Sequence, residues 1–358
     1  AASDVYKRQV YIDRLSRIPA IMEMPYNDII RKFIDMYAGR LRNQVSFMLS
    51  ACNFYMPIFE EALDAYGLPL ELRYLPIIES ALNPSAVSRA GASGLWQFMI
   101  GTGKIYGLES NSLVDERRDP IKATWAAARY LKEMYDIYGD WNLVIAAYNC
   151  GPGTINKAIR RANGETDYWK IYNYLPKETR GYVPAFIAAN YVMTYYCDHN
   201  ICPMETNIPA STDTVQVNKN LHFEQIADLC NVPLDQIKSL NPQYKKQMIP
   251  GDSKPYTLRL PIDAISTFID KQDTIYAHRA DELFRNRKTV AIKEITPSTR
   301  KTTTAVAGKG KLTYYTIKSG DTLSTIAGKY GVTIKDIQRW NGMSNTKIAA
   351  GKRLKIYK

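Results

Sequence analysis

A chain of 358 residues exceeds one ordinary domain, and 46% hydrophobic with 11% aromatic content is ample for packed cores, so two or three domains are expected. The formal charge of +12 is uneven: from Arg287 to Lys358 sixteen Lys and Arg face three Asp and Glu, which leaves the rest of the chain near neutral. That basic tail lacks a recognition-helix or aromatic-basic motif, which argues against nucleic acid as a partner; an anionic cell wall or a lipid headgroup layer suits it equally well, and membrane association stays open.

No segment approaches the roughly 20 apolar residues of a membrane span. The five cysteines, Cys52, Cys150, Cys197, Cys202 and Cys230, are odd in number and lack metal-ligand spacing, so most read as buried thiols. Pairing of Cys197 with Cys202 in an oxidising compartment is left open. Nothing in the chain calls for a metal or another cofactor.

Residues 1–26 read as an N-terminal extension. The chain opens on Ala1 rather than Met, so its natural start is expected to lie elsewhere. Ser3-Asp4-Val5-Tyr6-Lys7-Arg8-Gln9 resembles a translated sequencing adapter and is set aside from fold reasoning. From about Asn27 to Ala65, Ile29, Ile30, Phe33, Ile34 and Tyr37, then Val45, Phe47, Met48, Phe54 and Ile58, recur mostly at spacings of three and four. They predict helices that brace the domain to follow.

Leu72, Leu75, Ile78, Ala81 and Leu82 keep that spacing, which predicts a buried helix with one acid, Glu79, near its C-terminal end. Desolvation there raises a carboxyl pKa from roughly 4.3 towards about 6 to 7, where it still holds a proton to donate at neutral pH. Asn83-Pro84 breaks the helix, and the small residues from Ser85 to Gly94 let backbone approach a ligand. Trp96-Gln97-Phe98 then offers flat aromatics beside an amide, a combination that suits a sugar ring. Between Ser80 and Leu108 there is no Asp or Glu, so Glu79 lacks a nearby carboxylate companion of the kind a hydrolytic glycosidase carries.

Ala123, Ala126, Ala127, Tyr130, Leu131, Met134 and Ile137 trace one face of a long helix beginning soon after Pro120. Trp141 to Tyr148 predicts the next helix, stopped by Asn149-Cys150-Gly151-Pro152-Gly153, so that Tyr148 and Asn149 sit at a helix end. Tyr182 precedes Val183-Pro184-Ala185-Phe186, which opens an apolar helix to about Tyr196.

Glu79-Ser80, Gly94-Leu95-Trp96-Gln97, Ala147-Tyr148-Asn149-Cys150-Gly151 and Glu178-Thr179-Arg180-Gly181-Tyr182 resemble, in order and spacing, the four motifs of the family 1 lytic transglycosylases. The resemblance implies a mainly α, lysozyme-like catalytic domain of the soluble lytic transglycosylase fold over residues 27–205. It implies Glu79 as the catalytic residue, with Ser80, Gln97, Phe98, Tyr148, Asn149 and Tyr182 binding substrate.

From Thr214 to Pro261 the pattern becomes short strand, two short helices and short strand, and it recurs from Tyr314 to Ile356 with equal final digits: Val217 with Ile317, Ile226 with Ile326, Ile237 with Ile337, Asn241 with Asn341. This predicts two small βααβ modules, at 213–262 and 312–358, and an α+β class for that part. The second copy, with Ser319-Gly320-Asp321-Thr322-Leu323 and Gly351-Lys352-Arg353-Leu354, resembles a LysM domain. That implies a polymer of N-acetylglucosamine as ligand, held by Gly320, Asp321, Thr322, Leu323 and Ile348. In the first copy Asn220-Leu221-His222 replaces Gly320-Asp321-Thr322, so glycan binding and packing against the catalytic domain stand as equal alternatives. A helix is predicted at 263–287 and a flexible linker at 288–311.

The resemblance implies cleavage of the β-1,4 bond between N-acetylmuramic acid and N-acetylglucosamine in peptidoglycan strands without water, leaving 1,6-anhydro ends, in the cell envelope, periplasmic or outer-membrane-associated. Two rivals are a muramidase that uses water with Asp115 or Asp119 as second acid, and a non-catalytic peptidoglycan-binding scaffold.

Overall fold

A computed structural model of the chain describes residues 2–284, 312–343 and 345–357. The linker expected at 288–311 lies outside them. The chain divides between Ile295 and Thr296 into two units, each described by itself.

The first unit begins with ten helices: α1 (Ala2–Ser16), α2 (Asp28–Ala38), α3 (Arg42–Ala65), α4 (Leu75–Ser80), α5 (Ile100–Ile105), α6 (Pro120–Tyr138), α7 (Trp141–Cys150), α8 (Pro152–Arg161), α9 (Tyr168–Ile171) and α10 (Lys177–Tyr195). Local chemistry sets their ends. Asn27 accepts from the Ile30 amide at 2.8 Å to start α2, and Asp140 accepts from the Leu143 amide at 2.8 Å to start α7. Asp119 caps α6, Pro120 occupies its first turn, and Gly139 closes it with φ 62°. Helix α10 packs against α2, α4 and α7, and its buried face runs through Tyr182, Val183, Phe186, Ile187 and Tyr191.

Three elements differ from expectation. Residues 1–26 are not set apart: Tyr11, Leu15 and Met22 are buried in the helical core, and Arg14 pairs with Asp198 at 2.7 Å while its carbonyl accepts from the Tyr195 hydroxyl at 2.9 Å. The helix bearing Glu79 is shorter than its spacing predicts. A 3-10 turn over Leu70–Tyr74 leads into α4, and Ala81 and Leu82 turn left-handed at φ 51° and 58°, which ends the helix one turn before Pro84. Finally, Tyr182 lies inside α10 rather than before it, because the helix starts at Lys177 and continues through Pro184.

The same unit continues with β1 (Thr212–Val217) paired antiparallel to β4 (Tyr256–Pro261), and β2 (Asn220–His222) paired to β3 (Met248–Pro250). Between them lie α11 (Phe223–Cys230) and α12 (Leu234–Leu240). Val217, Ile226, Ile237, Leu258, Phe268 and Ile275 form the core of this module. The single helix expected after it is three short ones, α13 (Ile262–Asp270), α14 (Gln272–Ala277) and α15 (Ala280–Leu283), broken at Lys271 and at Arg279, whose φ is 50°.

In the second unit β5 (Leu312–Thr316) pairs antiparallel with β6 (Arg353–Tyr357) around α16 (Leu323–Tyr330) and α17 (Ile334–Asn341). The duplication is visible atom by atom. Asn241 donates to the carbonyls of Ile237 and Arg259 at 2.9 and 2.8 Å and accepts from the Arg259 amide at 2.8 Å. Asn341 does the same with Ile337 and Lys355, at 2.8, 2.8 and 2.7 Å. In each copy one asparagine staples the second helix to the closing strand. All five cysteines are free thiols.

Candidate active site

Glu79 projects from the last turn of α4, half-buried at the floor of a cleft of about 420 Å³. Burial raises its carboxyl pKa to about 7; the Tyr182 hydroxyl, which donates to Glu79 Oε1, pulls it back, and the charge of Glu178 pushes it up further. Tyr148, at the end of α7, donates its hydroxyl to the Trp96 carbonyl at 2.6 Å. Burial, and then the Glu79 charge, hold both tyrosine hydroxyls well above their ordinary value, so they remain protonated donors. Three separate elements, α4, α7 and α10, thus converge on one carboxyl.

The cleft walls come from Tyr37 on α2, Gln44 and Met48 on α3, Ile77 to Ala81, and the strip Ala86–Ser88 with Gln97. Among these residues Glu79 is the one carboxylate. Gln97 sits at φ 50°, and its amide donates to the carbonyls of Gly94 at 2.8 Å and Ala86 at 3.2 Å, which closes the strip into a loop.

The other residues singled out from sequence are placed as follows. The Ser80 hydroxyl is buried and lies 2.9 Å from the Leu95 carbonyl and 3.0 Å from that of Pro76. Phe98 is buried beside the rings of Tyr106, Tyr130 and Tyr148. Asn149 accepts from the Thr179 hydroxyl at 2.9 Å, which joins the ends of α7 and α10. Trp96, expected to offer a flat face to a sugar, is instead 0% exposed, its indole N–H bonded to Thr124 at 2.9 Å and its ring edge-on to Phe59. Helical phase read Tyr37 as core, and a lone Gln44 near a helix start carries no sequence signal; both line the cleft.

The alternative acids serve other partners. Burial would raise the Asp115 carboxyl, yet the Arg117 guanidinium, bound at 2.9 and 2.7 Å, holds it below the usual carboxylate range. Asp119 accepts from the amides of Ile121 and Lys122 at 2.9 and 3.0 Å as the cap of α6. A larger concavity, about 840 Å³ between α3, residues 82–85, residues 205–209 and α12, contains none of Glu79, Ser80, Gln97, Phe98, Tyr148, Asn149 and Tyr182.

In the second unit, Gly320 turns the chain at φ 89°, Asp321 accepts from the Lys318 amide and the Tyr315 hydroxyl, both at 2.8 Å, and Thr322 caps α16. Leu323 is buried and Ile348 packs on the same core. His222 stands where Thr322 does in the later copy and serves as the corresponding cap of α11, its Nδ1 accepting from the Glu224 amide at 3.2 Å.

A helical domain whose cleft is lined by one desolvated acid, with two protonated tyrosines near it and a pair of modules built on a βααβ plan following in the chain, defines a lysozyme-like lytic transglycosylase carrying LysM regions. Residues 56–171 match the transglycosylase SLT domain, residues 211–277 the LysM-like domain of lytic transglycosylase MltD, and residues 315–356 the LysM domain. Membrane-bound lytic murein transglycosylase D of Escherichia coli (strain K12) is 32% identical over 94% of this chain and 70% of its own length. The chain belongs to that family. Soluble lytic murein transglycosylase of Escherichia coli (strain K12) is 33% identical over 33% of this chain and 19% of its own. The crystal structure of the 70 kDa soluble lytic transglycosylase from Escherichia coli is 29% identical, with a TM-score of 0.35, and covers 40% of this chain and 24% of that one.

Proposed function

We propose that the chain cleaves the β-1,4 bond between N-acetylmuramic acid and N-acetylglucosamine in peptidoglycan, with Glu79 as sole acid and base. The supporting observation is the raised pKa of Glu79, about 7, in a cleft lined by no second carboxylate. Glu79 protonates the leaving glycosidic oxygen, and the cleft's dipoles with the substrate's own N-acetyl group stabilise the oxocarbenium-like centre. The ionised Glu79 then takes the proton from the muramic acid C6 hydroxyl, whose oxygen closes onto C1 as a 1,6-anhydro ring. The proton given in the first step is recovered in the second, and no water is consumed.

Tyr182 orients the carboxyl and eases its ionised phase, while Gln97 and Asn149 meet sugar polar groups. Ser80, in the cleft wall, ties α4 to the turn at Leu95, while Phe98 backs Tyr148 from behind. The LysM of the second unit, with Gly320, Asp321, Thr322, Leu323 and Ile348 at its glycan-binding end, holds the enzyme on N-acetylglucosamine-containing polymer. Such a substrate places the protein in the cell envelope, periplasmic or outer-membrane-associated; among the described residues no helix is long and apolar enough to cross a membrane.

The products test the reading. Digestion of purified sacculi in heavy-oxygen water should yield anhydro-muropeptides lighter by one water than hydrolysis products, with no label incorporated. Labelled reducing ends would make the enzyme a muramidase.

A further inference from the structure

The cleft loop is held from outside by a chain of contacts that begins in the first βααβ module. Residues 109–116 leave the helical domain and enter that module: Leu113 and Val114, 2% and 0% exposed, belong to its core rather than to the helical one. Val114 bridges Tyr244 antiparallel, the Asp115 amide donates to the Gln243 carbonyl at 2.9 Å, and the Lys245 amide donates to the Leu113 carbonyl at 2.8 Å. Two side chains seal the edge. Lys245 Nζ donates to the Asn111 carbonyl at 2.8 Å, and the Tyr256 hydroxyl reaches Glu109 at 3.1 Å.

The segment then turns back towards Glu79. Asp115, 1% exposed, grips Arg117 through two of its nitrogens, and Arg117 Nη1 donates to the carbonyls of Gly91 at 2.8 Å and Phe98 at 2.9 Å. Those carbonyls sit on either side of Gln97 and Gly94, in the loop whose Ala86–Ser88 strip walls the cleft. Arg118 adds a bond from Nε to the Ser93 hydroxyl at 3.1 Å. A planar guanidinium suits this task because its donors are fixed in direction, so a bidentate carboxylate on one side sets where the other donors point.

We propose that the 211–277 module is a brace for the substrate cleft, and that Arg117 is the positioning residue through which it acts. This rests on the reading of Glu79 as the acid. The module's edge fixes residues 113–115, Asp115 fixes Arg117, and Arg117 fixes the loop that holds the sugar. Acid strength is set elsewhere, by α4 and α10, so the brace governs binding of substrate rather than proton transfer.

The test is steady-state turnover of peptide-free glycan strands by the full chain. Arg117→Lys, which keeps the charge and loses the fork, and the double variant Asp115→Leu with Arg117→Met, which leaves no unpaired buried charge, should each raise KM about tenfold with kcat within about threefold. The pH at which activity falls should not move. A residue that merely holds the fold would lower the active fraction, hence kcat, at constant KM. On the module's own edge, Lys245→Met with Tyr256→Phe should also raise KM, and should add little to the Asp115 and Arg117 changes. Unchanged KM in that edge pair, or strictly additive effects, overturns the brace even if the buried variants fail to fold. Glu79→Gln, assayed alongside, separates the two claims: full activity there would defeat the acid assignment, whereas an inactive Glu79→Gln with unaffected edge variants would defeat the brace alone.

Discussion

At the scale of single residues, the chemistry proposed for Glu79 carries a stability cost. In the unfolded chain its carboxyl ionises near 4.5, and in the fold at about 7, so between those values the native state holds the extra proton. Stability therefore falls as pH rises through that window, by about 3 kcal/mol in total, and the cost is constant above it. Glu79→Gln removes the titration. The variant should melt with the wild type at pH 4 but several degrees higher at pH 8, while its turnover drops at least about a hundredfold. Equal melting temperatures at both pH values would refute the desolvated acid. Tyr182 acts with opposite sign: its hydroxyl favours the ionised form, so Tyr182→Phe raises the Glu79 pKa above about 7. Because the protonated acid starts the reaction, the alkaline limb of the pH–rate profile should move to higher pH, with a fall of about tenfold in kcat because a carboxyl of higher pKa gives up its proton less readily and has lost the hydroxyl that orients it.

Among elements, the cleft loop is the most tightly specified. A Cβ on Gly94 would lie 1.8 Å from the Arg117 carbonyl, and the residue sits at φ 87°, so neither space nor backbone admits a side chain. Gly94→Ala should cost at least about 2 kcal/mol and lose glycan turnover, read by thermal melting and by activity. A variant with wild-type stability would mean the loop can shift freely. How far such features show in the sequence depends on their physics. Helix phase exposes itself through the spacing of Ile30, Ile34 and Tyr37, and Glu79 shows because it is one acid among apolar neighbours. The end of α4 did not show, since the left-handed turn at Ala81 and Leu82 uses residues with no preference for it. Arg117 was hidden for another reason: in Asp115-Glu116-Arg117-Arg118-Asp119 every residue is charged, and only the three-dimensional fold reveals that the first three are buried and what each of them grips. Trp96 misled because an indole suits a core as well as a sugar, and Thr124, the partner for its N–H, is distant in sequence.

At the scale of the whole molecule, one duplicated module has been put to two uses. Both copies keep the asparagine staple and the capped first helix, but the first buries residues of the catalytic segment in its core, whereas the second packs Tyr315, Ile326, Ile337 and Ile356 among themselves. The residues lining the Glu79 cleft all belong to the first unit, and the role proposed for the second is to raise local concentration at the polymer. Its described residues carry Lys318, Lys329, Lys335, Arg339, Lys347, Lys352, Arg353 and Lys355 against Asp321 and Asp336, a surplus suited to an anionic polymer and weakened by salt. Ending the chain at Phe284 should therefore leave turnover of short soluble glycans within about twofold of the full chain while binding to insoluble peptidoglycan falls at least about tenfold. The difference in binding should shrink as ionic strength rises, because the electrostatic share is lost from the full chain alone. Pull-down on sacculi across a salt series, beside a soluble-glycan assay, reads both quantities. Collapse of soluble turnover on truncation would make the second unit part of the catalytic machinery, and the division of labour between the two copies would be wrong.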